Sequence, residues 1–135
     1  MELTGNVGSA TQFNMRIRTS GSDLTSGYNS EMKFAAYGGN INTFNDNANA
    51  TDRWILGFIP NAGDGRFGAS IDYYNPFASA AKTIAGFSTG TKSGAYRGFA
   101  ILGGDYANTA SYDGFTIYPA SGNLTGSVSV YGYSK

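Results

Sequence analysis

Six consecutive residues, Gly63-Asp64-Gly65-Arg66-Phe67-Gly68, carry the letters of a dinucleotide-binding fingerprint. That chemistry needs a strand leading through the glycines into a helix whose N-terminus holds the pyrophosphate. Here Phe67, Ala69, Ile71 and Tyr73 alternate instead, the period of a half-buried strand. Asn61-Ala62-Gly63-Asp64-Gly65 therefore reads as a tight turn in which Gly65 takes the positive φ that primed hairpin turns impose.

A second candidate is Asn45-Asp46-Asn47-Ala48-Asn49-Ala50-Thr51-Asp52, rich in oxygen donors that suit calcium. A calcium loop of EF-hand type needs acidic or amide side chains at alternating positions and a closing bidentate Glu. Counting from Asp46, the third position is Ala48 and no such Glu follows, so the stretch reads as a polar loop held by Asx turns. Paired carboxylates are the remaining acid/base chemistry, because the chain has no His and no Cys. A glycosidase needs two of them facing each other across a cleft. Glu2 lies at a frayed end, Glu31 alternates outward, and the Asp residues fall mainly in turn contexts. With no nucleophile beside a base and no Cys or His ligand for a metal, the sequence argues against an enzyme, a cofactor or a metal site. Asn49-Ala50-Thr51 and Asn123-Leu124-Thr125 match the glycosylation triplet and are read as turns.

The elements that position these residues are expected to be strands. Of 135 residues, 20 are Gly and 12 Asn, 15% are aromatic and only 13% charged, a composition of short strands and tight turns. Residues 1–135 read as one domain, large enough for a core without disulfide or metal staples. In Gln12–Thr19, Phe13, Met15 and Ile17 share one face and Asn14, Arg16 and Arg18 the other. A turn over Thr19–Gly27 delivers a second alternating run, Met32, Phe34 and Ala36 against Glu31 and Lys33. Asn40–Asp52 reads as the most polar loop. Arg53–Ile59 is a continuous apolar run, the pattern of a strand covered on both faces or facing a partner chain, and it marks the core. After the Asn75-Pro76 break, Lys82–Phe87, Tyr96–Leu102, Phe115–Tyr118 and Ser127–Tyr133 add four strands. The sum is an all-β, single antiparallel β-sandwich, jelly-roll-like, of about eight short strands, with Trp54, Leu56, Phe58, Ile71, Phe115 and Val128 in the core.

Net charge is zero, with five Arg and four Lys dispersed, so no basic stripe invites nucleic acid. No apolar run approaches a membrane-spanning helix, and Met1–Gly5 lacks the character of a signal peptide. Ten Tyr and nine Phe exceed what one small core is expected to absorb. Tyr37, Tyr74, Tyr131 and Tyr133 fall opposite the core face of their strands, and Phe44 sits amid the Asn-rich loop. These five are the candidate interface or ligand contacts, since Tyr joins an apolar ring to a polar tip.

The ending from Tyr112-Asp113-Gly114-Phe115 through Pro119-Ala120-Ser121-Gly122-Asn123 to Tyr131-Gly132-Tyr133 resembles the closing segment of a C-terminal β-sandwich domain of tailed-phage virion proteins. Met15–Asp23 looks like the early Arg-rich strand and Ser-Gly turn of the same domain, and Asn75-Pro76-Phe77 like its mid-domain turn. The resemblance implies a virion-surface subunit that decorates or cements the capsid, or else a receptor- or glycan-binding tip of a tail fibre. It further implies a homo-oligomer, with a trimer favoured, other virion proteins as partners, and host-surface glycan as a possible ligand. Similar domains usually carry a further strand before the segment that begins here at Leu3, which implies either a shortened version of the domain or an edge left for another chain to fill.

Overall fold

The computed structural model describes residues 2–6, 11–36, 41–59, 67–92 and 96–132. Among them the elements are eleven strands: β1 (Glu2–Asn6), β2 (Thr11–Thr19), β3 (Ser22–Asp23), β4 (Tyr28–Ala36), β5 (Ile41–Thr51), β6 (Trp54–Ile59), β7 (Phe67–Tyr74), β8 (Lys82–Lys92), β9 (Tyr96–Tyr106), β10 (Gly114–Pro119) and β11 (Asn123–Ser127). They form two antiparallel sheets, so the all-β sandwich expected from composition and alternation is what the chain adopts. The larger sheet runs β11-β1-β7-β8-β9-β4-β5. In the smaller, β2 is flanked by β10 on one side and by β6 and β3 on the other.

Alternation decides which side chains meet between the sheets. Phe13, Met15 and Ile17 of β2 are buried, as are Met32 and Phe34 of β4, Phe67 and Ala69 of β7, and Ala100 and Leu102 of β9. The apolar run in β6 is covered on both faces: Trp54, Ile55, Leu56 and Ile59 are all buried. A register shift opposite Phe13/Asn14 marks a bulge at Gly57. Its φ of +148° and the 2.6 Å from a hypothetical Cβ to Ser88 Oγ restrict this position to glycine. Trp54 is the largest fully buried side chain. It packs edge-on against Tyr28 at 5.1 Å and Tyr73 at 5.9 Å, while its Nε1 donates to the Asp105 carbonyl at 3.1 Å. Room for the indole comes from Gly104 on the inner face of β9, where a Cβ would stand 2.9 Å from Trp54 Cδ1.

Several expectations are corrected. The Asn-rich stretch is not a loop but β5, an edge strand paired to β4 from Thr51 to Ile41 with a register shift between Tyr28 and Ser30. Backbone pairing overrides its low strand propensity, and a polar edge is less exposed to unwanted pairing. Glu2 is not frayed; it lies in β1, opposite both Ser127 and Gly68. The Asn49 and Asn123 triplets lie in β5 and β11 rather than in turns. The last strand is Asn123–Ser127, and Val128–Gly132 belong to no strand. Phe58 and Ile71 only flank the core, while Phe115 and Val128 are 37% and 43% exposed. Phe115 sits on β10, an edge strand with no described neighbour on its outer side, and Val128 lies past the end of its sheet. The turn at Asn75 is borne out: Asn75 adopts φ 56° and its carbonyl accepts from Ala78 N at 3.1 Å. The glycine-rich turn at 61–66 lies outside the described residues, and the residues that follow are the strand β7, not a helix.

Candidate assembly surfaces and polar clusters

Strand alternation sends every second residue of the larger sheet away from the core, and three of these outward residues are large and apolar. Phe87 of β8 and Ile101 of β9 are direct cross-strand partners, and Phe99 lies two residues from Ile101 on the same face. They are 52% to 62% exposed. Ala35 stands opposite Phe99, while Lys33, Ser70 and Thr89 surround the group across the neighbouring strands. An apolar centre with a polar rim is the anatomy of a protein interface. With each Phe carrying ~150–250 Å² of surface, the three side chains leave roughly 300 Å² open, on the scale of patches that tend to be functional. This patch was not among the five expected contacts. Its signal was present in Phe99-Ala100-Ile101-Leu102, an unbroken apolar run of the kind that marks burial on both faces.

Of the five expected contact residues, three lie among the described residues. Tyr74 ends β7 on the outward face, half-exposed, opposite Thr83 and four residues along β8 from Phe87. Tyr131 is 81% exposed but lies in no strand, so it has no sheet face to occupy. Phe44 is placed in β5 opposite Met32. Tyr37 and Tyr133 lie outside the described residues.

The outer face of the smaller sheet is polar and laced with ion pairs. Arg16 and Arg53 both bond the Asp52 carboxylate, and Arg16 Nε donates to the Asp52 carbonyl at 2.8 Å. Burial alone would raise the Asp52 carboxyl, but the two guanidinium groups more than offset this and hold it below the usual carboxylate range. Arg53 also reaches Gln12 Oε1 at 3.2 Å, and the Arg16 guanidinium stacks 4.9 Å over the Tyr118 ring. Asn14, expected on this outward face, does face it yet is fully buried among these neighbours, and neither of its amide atoms has a partner among the described residues. The Tyr118 hydroxyl is likewise buried without a partner.

At the other end, Lys82 is fully buried at the start of β8. Its ammonium donates to the carbonyls of Ala78 and Ala80 and lies 4.9 Å over the Tyr112 ring. A buried cation is tolerated here because carbonyls and a ring face replace its water. Tyr112 in turn meets Tyr106 edge-on at 5.6 Å, and Tyr106 packs on Tyr28 at 4.8 Å. Burial pushes the Tyr112 hydroxyl up to about 12 and raises those of Tyr28 and Tyr73 further. Lys82 thus fastens the 75–81 loop to an aromatic column, a structural role.

No protein family, curated protein or solved structure matches the chain.

Proposed function

We propose that the chain is a non-enzymatic structural subunit of a bacteriophage virion, an outer accessory protein that decorates or cements the capsid as part of a homo-oligomer or lattice. The observation that carries the assembly role is the outward Phe87/Phe99/Ile101 patch, because a sandwich face with three large apolar side chains in water is costly unless another protein covers it. The virion setting rests on the resemblance of Met15–Asp23, Asn75–Phe77 and Tyr112–Tyr133 to the phage domain. Sedimentation of the purified chain with empty capsids tests the reading. Phe87→Ser and Ile101→Ser, both outside the core, should abolish co-sedimentation while leaving the circular dichroism spectrum unchanged. Co-sedimentation unaffected by both substitutions refutes it.

A second reading, a glycan-binding fibre tip, is favoured by the outer face of the smaller sheet. Gln12, Arg16, Arg53 and Tyr118 combine a ring with amide and guanidinium groups, the side-chain types that meet sugar faces and hydroxyls. Binding to a glycan array that is lost in Tyr118→Ala and retained in Phe87→Ser would favour it over decoration.

A further inference from the structure

Two side chains that alternation assigns to the core, Phe115 and Val128, are left in water by the isolated fold, and one event would bury both. We propose that Val128–Gly132 is a donated strand, which pairs with the outer edge of β10 in a second copy of this chain.

The donor has the pattern of a strand and no strand partner among the described residues. Ser127-Val128-Ser129-Val130-Tyr131 alternates β-branched and small polar residues, yet the strand assignment stops at Ser127. Beyond it Val130 is 70% exposed and Ser129, Tyr131 and Gly132 are open as well.

The acceptor is an incomplete edge. Ala120 N donates to Gln12 O at 2.9 Å, which sets the phase of the β10–β2 ladder. In that phase Gly114, Thr116 and Tyr118 turn their backbone groups to β2, while Phe115 and Ile117 turn theirs outward. No described residue pairs with them on that side. Pro119 has no N–H to offer, so it closes the free edge at that end. A strand laid here with Val128 and Val130 inward would continue the row of Phe115 and Ile117 and cover the exposed ring. Ser129 and Tyr131 would then stand outward beside Thr116 and Tyr118, and the ladder would gain main-chain hydrogen bonds in the manner of strand addition.

The occupant is a second copy because one chain carries both a free edge and a free strand, and its described residues leave the two unmet. One five-residue strand, about 17 Å long, is a small contact. Reciprocal donation about a two-fold axis doubles it, and together with the covered sheet patch it reaches the order of the ~1,200 Å² that stable interfaces start from.

The inference rests on the assembly reading above, and its test separates the two. Wild type, Val130→Pro and Phe87→Ser are compared by analytical ultracentrifugation. Proline removes one donor and resists the ladder, yet position 130 lies outside both sheets, so the sandwich itself should melt within a few degrees of wild type. The expected result is a rise of at least about 30-fold in the dissociation constant for Val130→Pro. Because the chain has no cysteine, a mixture of Phe115→Cys and Val130→Cys provides a second readout. It should yield a disulfide between two chains under mild oxidation. Strand donation is overturned by a monomeric wild type, by undiminished association of Val130→Pro, or by a mixture of the two cysteine variants that yields no disulfide between them. If Phe87→Ser dissociates the assembly while Val130→Pro associates as wild type does, donation fails and the sheet-face reading stands.

Discussion

Replacing Trp54 by Ala removes the largest fully buried side chain, a ring of the smaller sheet that packs on Tyr28 and Tyr73 of the larger one. The indole is fully buried, lies edge-on to Tyr28 and Tyr73, fills the space left by Gly104, and bonds the Asp105 carbonyl. Large-to-small truncation of a buried aromatic costs about 3–5 kcal/mol through lost transfer energy and the cavity left behind. The orphaned Asp105 carbonyl adds about 1–3 kcal/mol unless water enters. Because the terms overlap, we expect a total of about 4–6 kcal/mol, a large share of the 5–15 kcal/mol a domain of this size has. Trp54→Phe keeps most of the packing and loses the hydrogen bond, so about 1.5–3 kcal/mol is expected. Urea unfolding followed by far-UV circular dichroism is the assay, since the chain has a single Trp and the variants lack it. A loss below about 1 kcal/mol for Trp54→Ala at unchanged m-value would place the ring outside the core and refute the packing described.

Three further outcomes are expected. Lys82→Met should destabilise by about 1–3 kcal/mol, because it removes the charge-assisted hydrogen bonds to the carbonyls of Ala78 and Ala80; urea unfolding checks this. Tyr112, raised by burial to about 12, and Tyr28 and Tyr73 beyond it, make stability alkali-sensitive. Their contribution is fully present below the unfolded tyrosine value near pH 10 and is lost as pH rises through the folded values. Tyrosinate absorbance should therefore rise in two phases, the second coinciding with unfolding, and a single phase near pH 10 in folded protein would contradict it. Phe87→Ser should remove about 100 Å² of buried apolar contact per subunit, about 2.5 kcal/mol, and so weaken association by one to two orders of magnitude in sedimentation equilibrium.

Where burial and alternation coincide, the architecture was legible. Phe13/Met15/Ile17, Met32/Phe34 and the β6 run around Trp54 and Leu56 were readable because one strand face had to leave water. β5 was not, since its Asn, Thr and Ala residues carry no hydrophobic period and its pairing comes from the β4 backbone. Phe115 and Val128 defeat the pattern for the opposite reason: the period is there, but no neighbour among the described residues completes the burial. Of the candidate contacts, Tyr74 and Tyr131 are exposed but far apart in kind, one on a sheet and one beyond it. The patch at Phe87, Phe99 and Ile101 was missed because an apolar run does not tell which of its two faces meets solvent. Asn14 and Lys82 were invisible as buried groups, since their burial depends on residues distant in sequence.

The place of β1 bears on biosynthesis. It lies between β7 and β11, with Glu2 opposite both Gly68 and Ser127, so this strand is bordered by one that leaves the ribosome about 120 residues later. At ~5–20 residues per second, roughly 6–25 s separate the synthesis of β1 from that of β11. Until then one side of β1 has no ladder, and the pairing that finishes the sheet closes a very long loop, the kind of contact that makes β topologies slow to fold. A ribosome that stalls before residue 123 holds a sheet with an open seam, ready to pair with its neighbour on the same message. Codon choice and chaperone access over the final stretch should thus govern soluble yield more than the stability of the finished sandwich.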